Sequence, residues 1–156
     1  MTINHHDLTI LPFQPADQSE VKSLILSGLA DHWGTLDPAR NPDLNDIKLS
    51  YANAVFLVAR LNERIIGTGA LIPRSEKIAE IVRMSVASDQ RRKGVGKMIL
   101  QKLVDQARLD GLDKLILETT ESWSEVIEFY LRLGFQITHH LNGDVYFEMD
   151  LSDPKY

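Results

Sequence analysis

The segment from Val86 to Leu100, VASDQRRKGVGKMIL, has the composition of an anion-binding turn. A strand-like run ends there, Arg91, Arg92 and Lys93 follow, and Gly94-Val95-Gly96 opens a run with helical periodicity. The first N–H groups of a helix lack intrahelical partners and carry partial positive charge, and glycine lets a ligand approach the main chain. The sequence therefore predicts a pyrophosphate site at this turn.

Other phosphate-binding patterns do not fit the turn. A P-loop requires GxxxxGK followed by Ser or Thr, and a dinucleotide-binding fold requires GxGxxG with a later acidic residue, whereas this chain has GVGKMI. A bare GxG is a weak signal. The alternative is that GVG is only a tight helix entry and RRK a solvated surface.

The first half of the chain predicts four strands and one helix. The strands are Leu8 to Phe13, Ala54 to Leu61, Ile65 to Ile72 and Ile78 to Val86. The helix is predicted to begin near Ala16-Asp17 from apolar residues at helical spacing, which are Val21, Leu24, Ile25 and Leu29. Asp31 to Asp46 is expected to be irregular, because Gly34, Pro38 and Pro42 interrupt it.

The second half alternates helix and strand periodicity. A helix is predicted from about Gly94 to a stop at Gly111, followed by a strand at Leu115 to Leu117. A second helix ends at Gly134, and one of its faces carries Val126, Phe129, Tyr130 and Leu133. Asn142-Gly143 predicts a two-residue hairpin turn near the end of the chain. This order of elements indicates an α/β (α+β) fold.

Two ordered motifs resemble those of the GNAT acetyltransferase family. Its acetyl-coenzyme A signature places Arg or Gln, two variable residues, Gly, one residue and Gly or Ala after the central strand, and Arg91, Gly94 and Gly96 fill those places. EFYLRLGF, residues 128–135, resembles the family's FYxxxGF helix ending. The resemblance covers about Ala54 to Leu151, and the first strand and helix agree with it.

The resemblance implies a single N-acetyltransferase domain over residues 1–156. Its fold would be a mixed, mostly antiparallel sheet of about seven strands, one strand pair splayed, with about four flanking helices. The implied activity is transfer of an acetyl group from acetyl-CoA to a primary amine, on a small molecule, peptide or protein, by direct attack in a ternary complex. No metal is expected, and a homodimer is one expected state because the family often dimerises.

The resemblance also implies which residues bind the cofactor. The pyrophosphate would lie on the main chain from Arg92 to Lys97, and the pantetheine would pair with the strand carrying Met84 and Val86. An N–H on that strand can polarise the thioester carbonyl. The cofactor-binding set is thus Met84, Val86, Arg91, Arg92, Lys93, Gly94, Val95, Gly96 and Lys97.

Attack by an amine requires a base, since an alkylamine has a pKa of about 10.4. The resemblance implies Glu80, acting through water. Alternate residues of a strand share a face, so we expect the even positions to project together, namely Glu80, Val82, Met84 and Val86. Alternatives for the base are Glu118, His139 and His140. Glu80 has a structural alternative, as a strand-end acid paired with Lys77 or Arg83.

Tyr130 stands where the family keeps a tyrosine that donates a hydrogen bond or proton to the departing thiolate. Core packing is the alternative for Tyr130. The family often has an Asn several residues earlier, where this chain has Trp123, and we expect Ser122 or Ser124 to cap the helix.

The resemblance implies an acceptor side in the irregular segment from Asp31 to Asp46, because the family commonly builds it after the first helix. Acidic groups there would attract a cationic amine, although its Trp33, Asp37 and Asp43 also suit loop anchoring and helix capping.

The composition excludes several classes of protein. The 156 residues suffice for one core, and the absence of cysteine excludes disulfides, thiolate metal sites and a cysteine nucleophile. A net charge of −5 argues against nucleic-acid or membrane binding, and with no signal-like leader we expect a cytoplasmic protein. Two other classes stay open: a non-catalytic acyl-CoA sensor, and a nucleic-acid binder using Arg91, Arg92 and Lys93.

Overall fold

The sheet has seven strands, and the computed structural model describes residues 7–34 and 40–152 of the chain. The strands are β1 Leu8–Pro12, β2 Val55–Leu61, β3 Arg64–Pro73, β4 Ile78–Val86, β5 Lys114–Thr120, β6 Gln136–Leu141 and β7 Asp144–Asp150. Their order in the sheet is β1-β2-β3-β4-β5-β7-β6. Neighbouring strands are antiparallel except β4 and β5, which are parallel. The predicted mixed, mostly antiparallel sheet is confirmed.

Four α-helices cover the two faces of this sheet: α1 Gln18–Trp33, α2 Ile47–Ser50, α3 Val95–Leu109 and α4 Ser124–Arg132. Side chains of α3 and α4 pack on one face in a large core that includes Leu103, Tyr130 and Phe147. Residues of α1 and α2 pack on the opposite face of β2 to β4 in a smaller core that includes Val21 and Ile47. Because successive strand residues point to opposite faces of the sheet, the buried strand residues contribute to both cores.

Helix α3 lies unusually close to β3 because two glycines leave room for it. A Cβ at Gly67 would come within 2.8 Å of Ile99, and one at Gly69 within 2.7 Å of the same side chain. Backbone approaches of this kind require glycine. The fit holds α3 closely against β3.

The structure confirms the Asn142-Gly143 turn and revises two local predictions. Both turn residues have positive φ, 53° and 84°, as a two-residue hairpin turn requires. Trp33 does not lie in an irregular segment, because α1 continues through it. Asp37 lies outside the described residues. The expected serine cap of α4 is also wrong: Trp123 is the N-cap residue, and within the described chain no side chain caps that end.

Candidate active site

Strands β4 and β5 separate shortly after they pair. Only Ile78, Ala79 and Glu80 are in register with β5, and the remaining residues of β4, Ile81 to Val86, diverge from it. A cavity of about 280 Å³ opens between the strands, walled by this part of β4, α1, the end of β5 and α4. The predicted splayed pair is therefore present, and one edge of β4 faces the cavity without a strand partner there.

A β-bulge sits in the part of β4 that borders the cavity. Thr68 and Ala70 of β3 pair with Ser85 and Val82, so β4 contains one extra residue between them. Arg83 in this bulge has a positive φ of 55°.

The bulge overturns the expectation that Glu80, Val82, Met84 and Val86 project together. Val82 packs against the α1 side of the sheet, whereas Met84 and Val86 pack in the core on the α3 side. One extra residue reverses the faces of every later side chain, and the periodicity of the sequence did not reveal it.

The turn between β4 and α3 has the geometry of an anion site. Gly94, at the N-cap of α3, has φ 89°, and Arg92 has φ 63°. The Met98 N–H is bonded to the Gly94 carbonyl, and in the described chain no side chain caps this helix start. The main-chain N–H groups before Met98 are therefore left for a ligand.

The cations of this turn differ in their surroundings. Arg91 borders the cavity and lies 3.2 Å from Asp31 at the end of α1. Arg92 is exposed and pairs with Glu125 at 2.6 Å. Lys97 lines a separate, open groove of about 690 Å³ that runs between α3 and β7 and includes neither Tyr130 nor the splayed strands.

Tyr130 lies in the cavity wall and also in the core. Its ring packs edge-on or tilted against Phe129, Phe135 and Phe147, at centroid distances of 5.2, 5.8 and 5.7 Å, and the residue is 6% exposed. Burial raises the pKa of its phenol, which therefore stays protonated at physiological pH. The two predicted roles, core packing and hydrogen-bond donation into the site, are thus compatible in one residue.

The candidate bases differ in whether they line the cavity. Glu80 accepts hydrogen bonds from Arg74, at 2.7 Å from Nε, and is absent from the cavity wall; its expected partner, Lys77 or Arg83, was wrong. Glu118 lies in the wall. The Tyr146 phenol donates to Glu118, and this hydrogen bond, with burial, raises the pKa of Tyr146.

The two histidines lie on the edge strand β6. The ring of His139 stacks on Tyr146 at 4.4 Å, and its Nδ1 is 2.8 Å from the Thr138 hydroxyl. Neither His139 nor His140 borders the cavity.

Two groups at the cavity were not singled out as a site from the sequence. His32, near the end of α1, lines the cavity and stacks on Trp123 with centroids 4.1 Å apart. Arg83 also lines it, and its guanidinium lies 2.7 Å from Asp43. No local pattern indicates either pairing, because the partners are far apart along the chain and are brought together by α1 and by the segment before α2.

A comparison with protein families decides the class of the chain. Residues 22–135 match the family model described as Acetyltransferase (GNAT) family. The chain belongs to this family. It is an acetyltransferase, as its two motifs predicted, and the matched range contains the β4–α3 turn, the splayed strands and Tyr130.

Individual GNAT relatives agree with this assignment. An IAA acetyltransferase of Azospirillum brasilense is 31% identical over 131 residues, which are 83% of this chain and 84% of that protein. Other curated relatives are longer, and the chain spans less than half of their length.

Solved GNAT structures have the same fold. A GNAT acetyltransferase of Staphylococcus aureus superposes with a TM-score of 0.82 at 23% identity, covering 92% of this chain and 99% of that one. The PaiA N-acetyltransferase of Thermoplasma acidophilum, solved with coenzyme A, gives a TM-score of 0.81 at 18% identity, covering 92% and 98%. Among the described helices of this GNAT chain, none is both long and apolar enough to cross a membrane.

Proposed function

We propose that this GNAT enzyme transfers the acetyl group of acetyl-CoA to a primary amine by direct attack in a ternary complex. The observation that carries the proposal is the arrangement of three features around one cavity: the splayed β4–β5 pair, the open N-terminus of α3 beside it, and Tyr130 in its wall. The absence of cysteine supports direct attack, because no acyl-cysteine intermediate can form.

The β4–α3 turn fits the pyrophosphate of the donor. The left-handed Gly94 and Arg92 turn the main chain so that the N–H groups from Arg92 to Lys97 precede the first intrahelical bond. A Cβ added at Gly96 would lie 3.4 Å from Phe129, which is an ordinary van der Waals contact, so packing within the protein does not require glycine there. We attribute the glycine to the close approach of the ligand. Arg91 and Lys93 add positive charge to the turn.

The free edge of β4 fits the pantetheine. Ile81 to Val86 border the cavity and, among the described residues, no strand pairs with their β5-facing edge, so we expect the main chain at Met84 and Val86 to pair there with an extended amide-containing arm. When bound, acetyl-CoA supplies the activated thioester. An N–H of the bulge would then stabilise negative charge on the thioester oxygen as the amine attacks.

We assign proton removal to Glu118 ahead of Glu80. Glu118 borders the cavity, whereas Glu80 is bonded to Arg74 outside its wall. A carboxylate next to the amine, directly or through one water, lowers the cost of losing the proton that an amine carries near pH 7. Glu80 stays as the competing prediction.

Tyr130 is proposed to donate to the thiolate as the C–S bond breaks. The departing thiolate is the conjugate base of a thiol whose pKa is about 8.5, and a phenol held protonated by burial can donate a hydrogen bond to it throughout the physiological range. The cavity is small, about 280 Å³, which suits a small amine or a single amino group of a peptide.

Location in the cytoplasm, a homodimeric state and a single domain stay predictions from the sequence.

The proposal is tested by measuring thiol release from acetyl-CoA with a panel of small amines and peptides. We expect amine-dependent release by the wild-type protein and a large loss in Tyr130→Phe. Binding of acetyl-CoA without turnover of any amine would instead indicate a sensor. Binding of nucleic acid that coenzyme A does not displace would revive the basic-patch alternative.

A further inference from the structure

Arg83 has a backbone conformation that arginine rarely adopts. Its φ of 55° lies in the left-handed region, which glycine enters freely and other residues enter at a cost. Strain of this kind persists only where the surrounding structure holds it, and such positions concentrate at functional sites. Arg83 occupies the β4 bulge and borders the cavity. The arginine side chain must therefore make interactions that glycine could not make.

Side chains from distant parts of the chain hold Arg83 at both ends. Its carbonyl accepts a hydrogen bond from the Thr68 hydroxyl at 2.7 Å. Its guanidinium donates to both oxygens of Asp43, from Nη2 at 2.7 Å and from Nε at 3.0 Å, and to the Asn41 side chain at 3.2 Å. The Tyr51 hydroxyl donates to Asp43 at 2.5 Å. We call Arg83, Asp43, Asn41 and Tyr51 the Arg83 clamp.

The clamp contains one charged pair, Arg83 and Asp43, which is partly accessible to water. The side chains of Arg83 and Asp43 are 19% and 30% exposed. Burial raises the pKa of Asp43, but the hydrogen bonds from Arg83 and Tyr51 outweigh it, so that pKa lies below its usual range. The two-pronged contact requires the planar guanidinium, and lysine cannot reproduce it.

The clamp joins the cavity wall to a segment outside it. Asn41, Asp43 and Tyr51 belong to the segment on the α1 and α2 side of the sheet, and Arg83 belongs to the strand edge that faces the donor cavity. Moving either part would break several hydrogen bonds at once.

We propose that the Arg83 clamp is a positioning device, which holds the β4 bulge in the one conformation that directs a main-chain N–H at the thioester carbonyl. The inference rests on the proposed function. Arg83 acts through the backbone and does not itself touch the reacting atoms. Asp43 is then committed to Arg83, rather than serving as a free acid that attracts the acceptor amine.

Comparing the affinities of coenzyme A and acetyl-CoA by calorimetry tests the proposal without turnover. Only acetyl-CoA has the thioester carbonyl, so the preference of the protein for acetyl-CoA over coenzyme A reports the bulge N–H. The β4–α3 turn contributes equally to the binding of both. We expect the wild type to prefer acetyl-CoA, and we expect Arg83→Lys and Asp43→Asn to reduce this preference by about threefold to tenfold. The affinity for coenzyme A should change less than twofold, and kcat should fall about tenfold or more.

Arg83→Gly separates the clamp from backbone strain. Glycine adopts the left-handed conformation without cost, so this variant should fold, yet it lacks the guanidinium. We expect it to lose the preference for acetyl-CoA, and we expect the Met84 amide to exchange faster with solvent than in the wild type. Retention of the preference and of kcat in Arg83→Gly would overturn the inference.

Arg60→Lys is the matched control. Arg60 pairs with the buried Asp17 at 2.5 Å but lies outside the cavity wall, so its substitution weakens an ion pair of the same kind elsewhere. It should leave the acetyl-CoA preference and kcat unchanged, and equal losses in this control would refute the positioning role. Equal affinities in a wild type that turns over amines would refute the inference alone, whereas equal affinities with no turnover of any amine would refute the proposed function as well.

Discussion

Replacing Tyr130 by phenylalanine removes one oxygen atom from the wall of the cavity. The ring contacts with Phe129, Phe135 and Phe147 do not involve the hydroxyl, so the core should repack around the same shape. Loss of a single hydroxyl from a buried phenol changes the free energy of unfolding by about 1 kcal/mol or less. The folded state of the variant should therefore match that of the wild type.

The effect on the reaction should be much larger. A positioned proton donor contributes about 10²-fold to 10⁴-fold to a rate. We expect kcat of Tyr130→Phe to fall about 10²-fold to 10³-fold, which corresponds to about 3 to 4 kcal/mol of the activation barrier. The affinity for coenzyme A should stay within twofold, because the turn that holds the pyrophosphate is untouched.

The assay is the initial rate of thiol release at saturating acetyl-CoA, with calorimetry and thermal unfolding as controls. Burial raises the pKa of Tyr130, so the wild-type kcat should show no loss from tyrosine ionisation up to about pH 10. A Tyr130→Phe enzyme with kcat within twofold of the wild type would refute the leaving-group role and leave Tyr130 a packing residue.

Three further predictions follow from the site. Gly94→Ala should weaken coenzyme A binding and lower the free energy of unfolding by about 1 to 2 kcal/mol, because φ is 89° there although nothing lies within 4 Å of the added Cβ; equal affinity in calorimetry would contradict this. Glu118→Gln should reduce kcat/KM for amines at neutral pH more than Glu80→Gln does, and the reverse order would identify Glu80 as the base. Because the folded-state pKa of Asp43 is depressed, the stability from its pairing with Arg83 should be complete above about pH 4 and lost as the pH falls further; Asp43→Asn should flatten this acid limb of thermal unfolding, and an unchanged slope would argue against it.

Much of the fold could be read from local patterns. Asn142-Gly143 fixed a hairpin because both residues tolerate positive φ, and Ile78 to Val86 was recognised with its observed bounds. The change to helical periodicity near Gly94 predicts the start of α3. These features depend on neighbours in the sequence, which is why sequence periodicity and turn chemistry suffice for them.

The parts that escaped prediction depend on contacts between distant residues. The bulge at Arg83 leaves no trace in the alternation of β4, yet it reverses the faces of Met84 and Val86. Glu80 was matched with the wrong cation, because Arg74 reaches it across the β3–β4 turn. The glycine and prolines after α1 predict a loop at Trp33, whereas α1 extends to it and brings its ring centroid within 5.4 Å of that of Trp123.

Titration with coenzyme A, followed through the amide resonances of the backbone, tests the central claim most directly. We propose that main-chain N–H groups at the start of α3 bind the pyrophosphate. The amides from Arg92 to Lys97 should therefore show the largest chemical-shift changes, with smaller changes at Met84 and Val86. Gly94→Ala should diminish these shifts. Saturable binding that leaves the Arg92 to Lys97 amides unmoved, or no binding at all, would contradict the account.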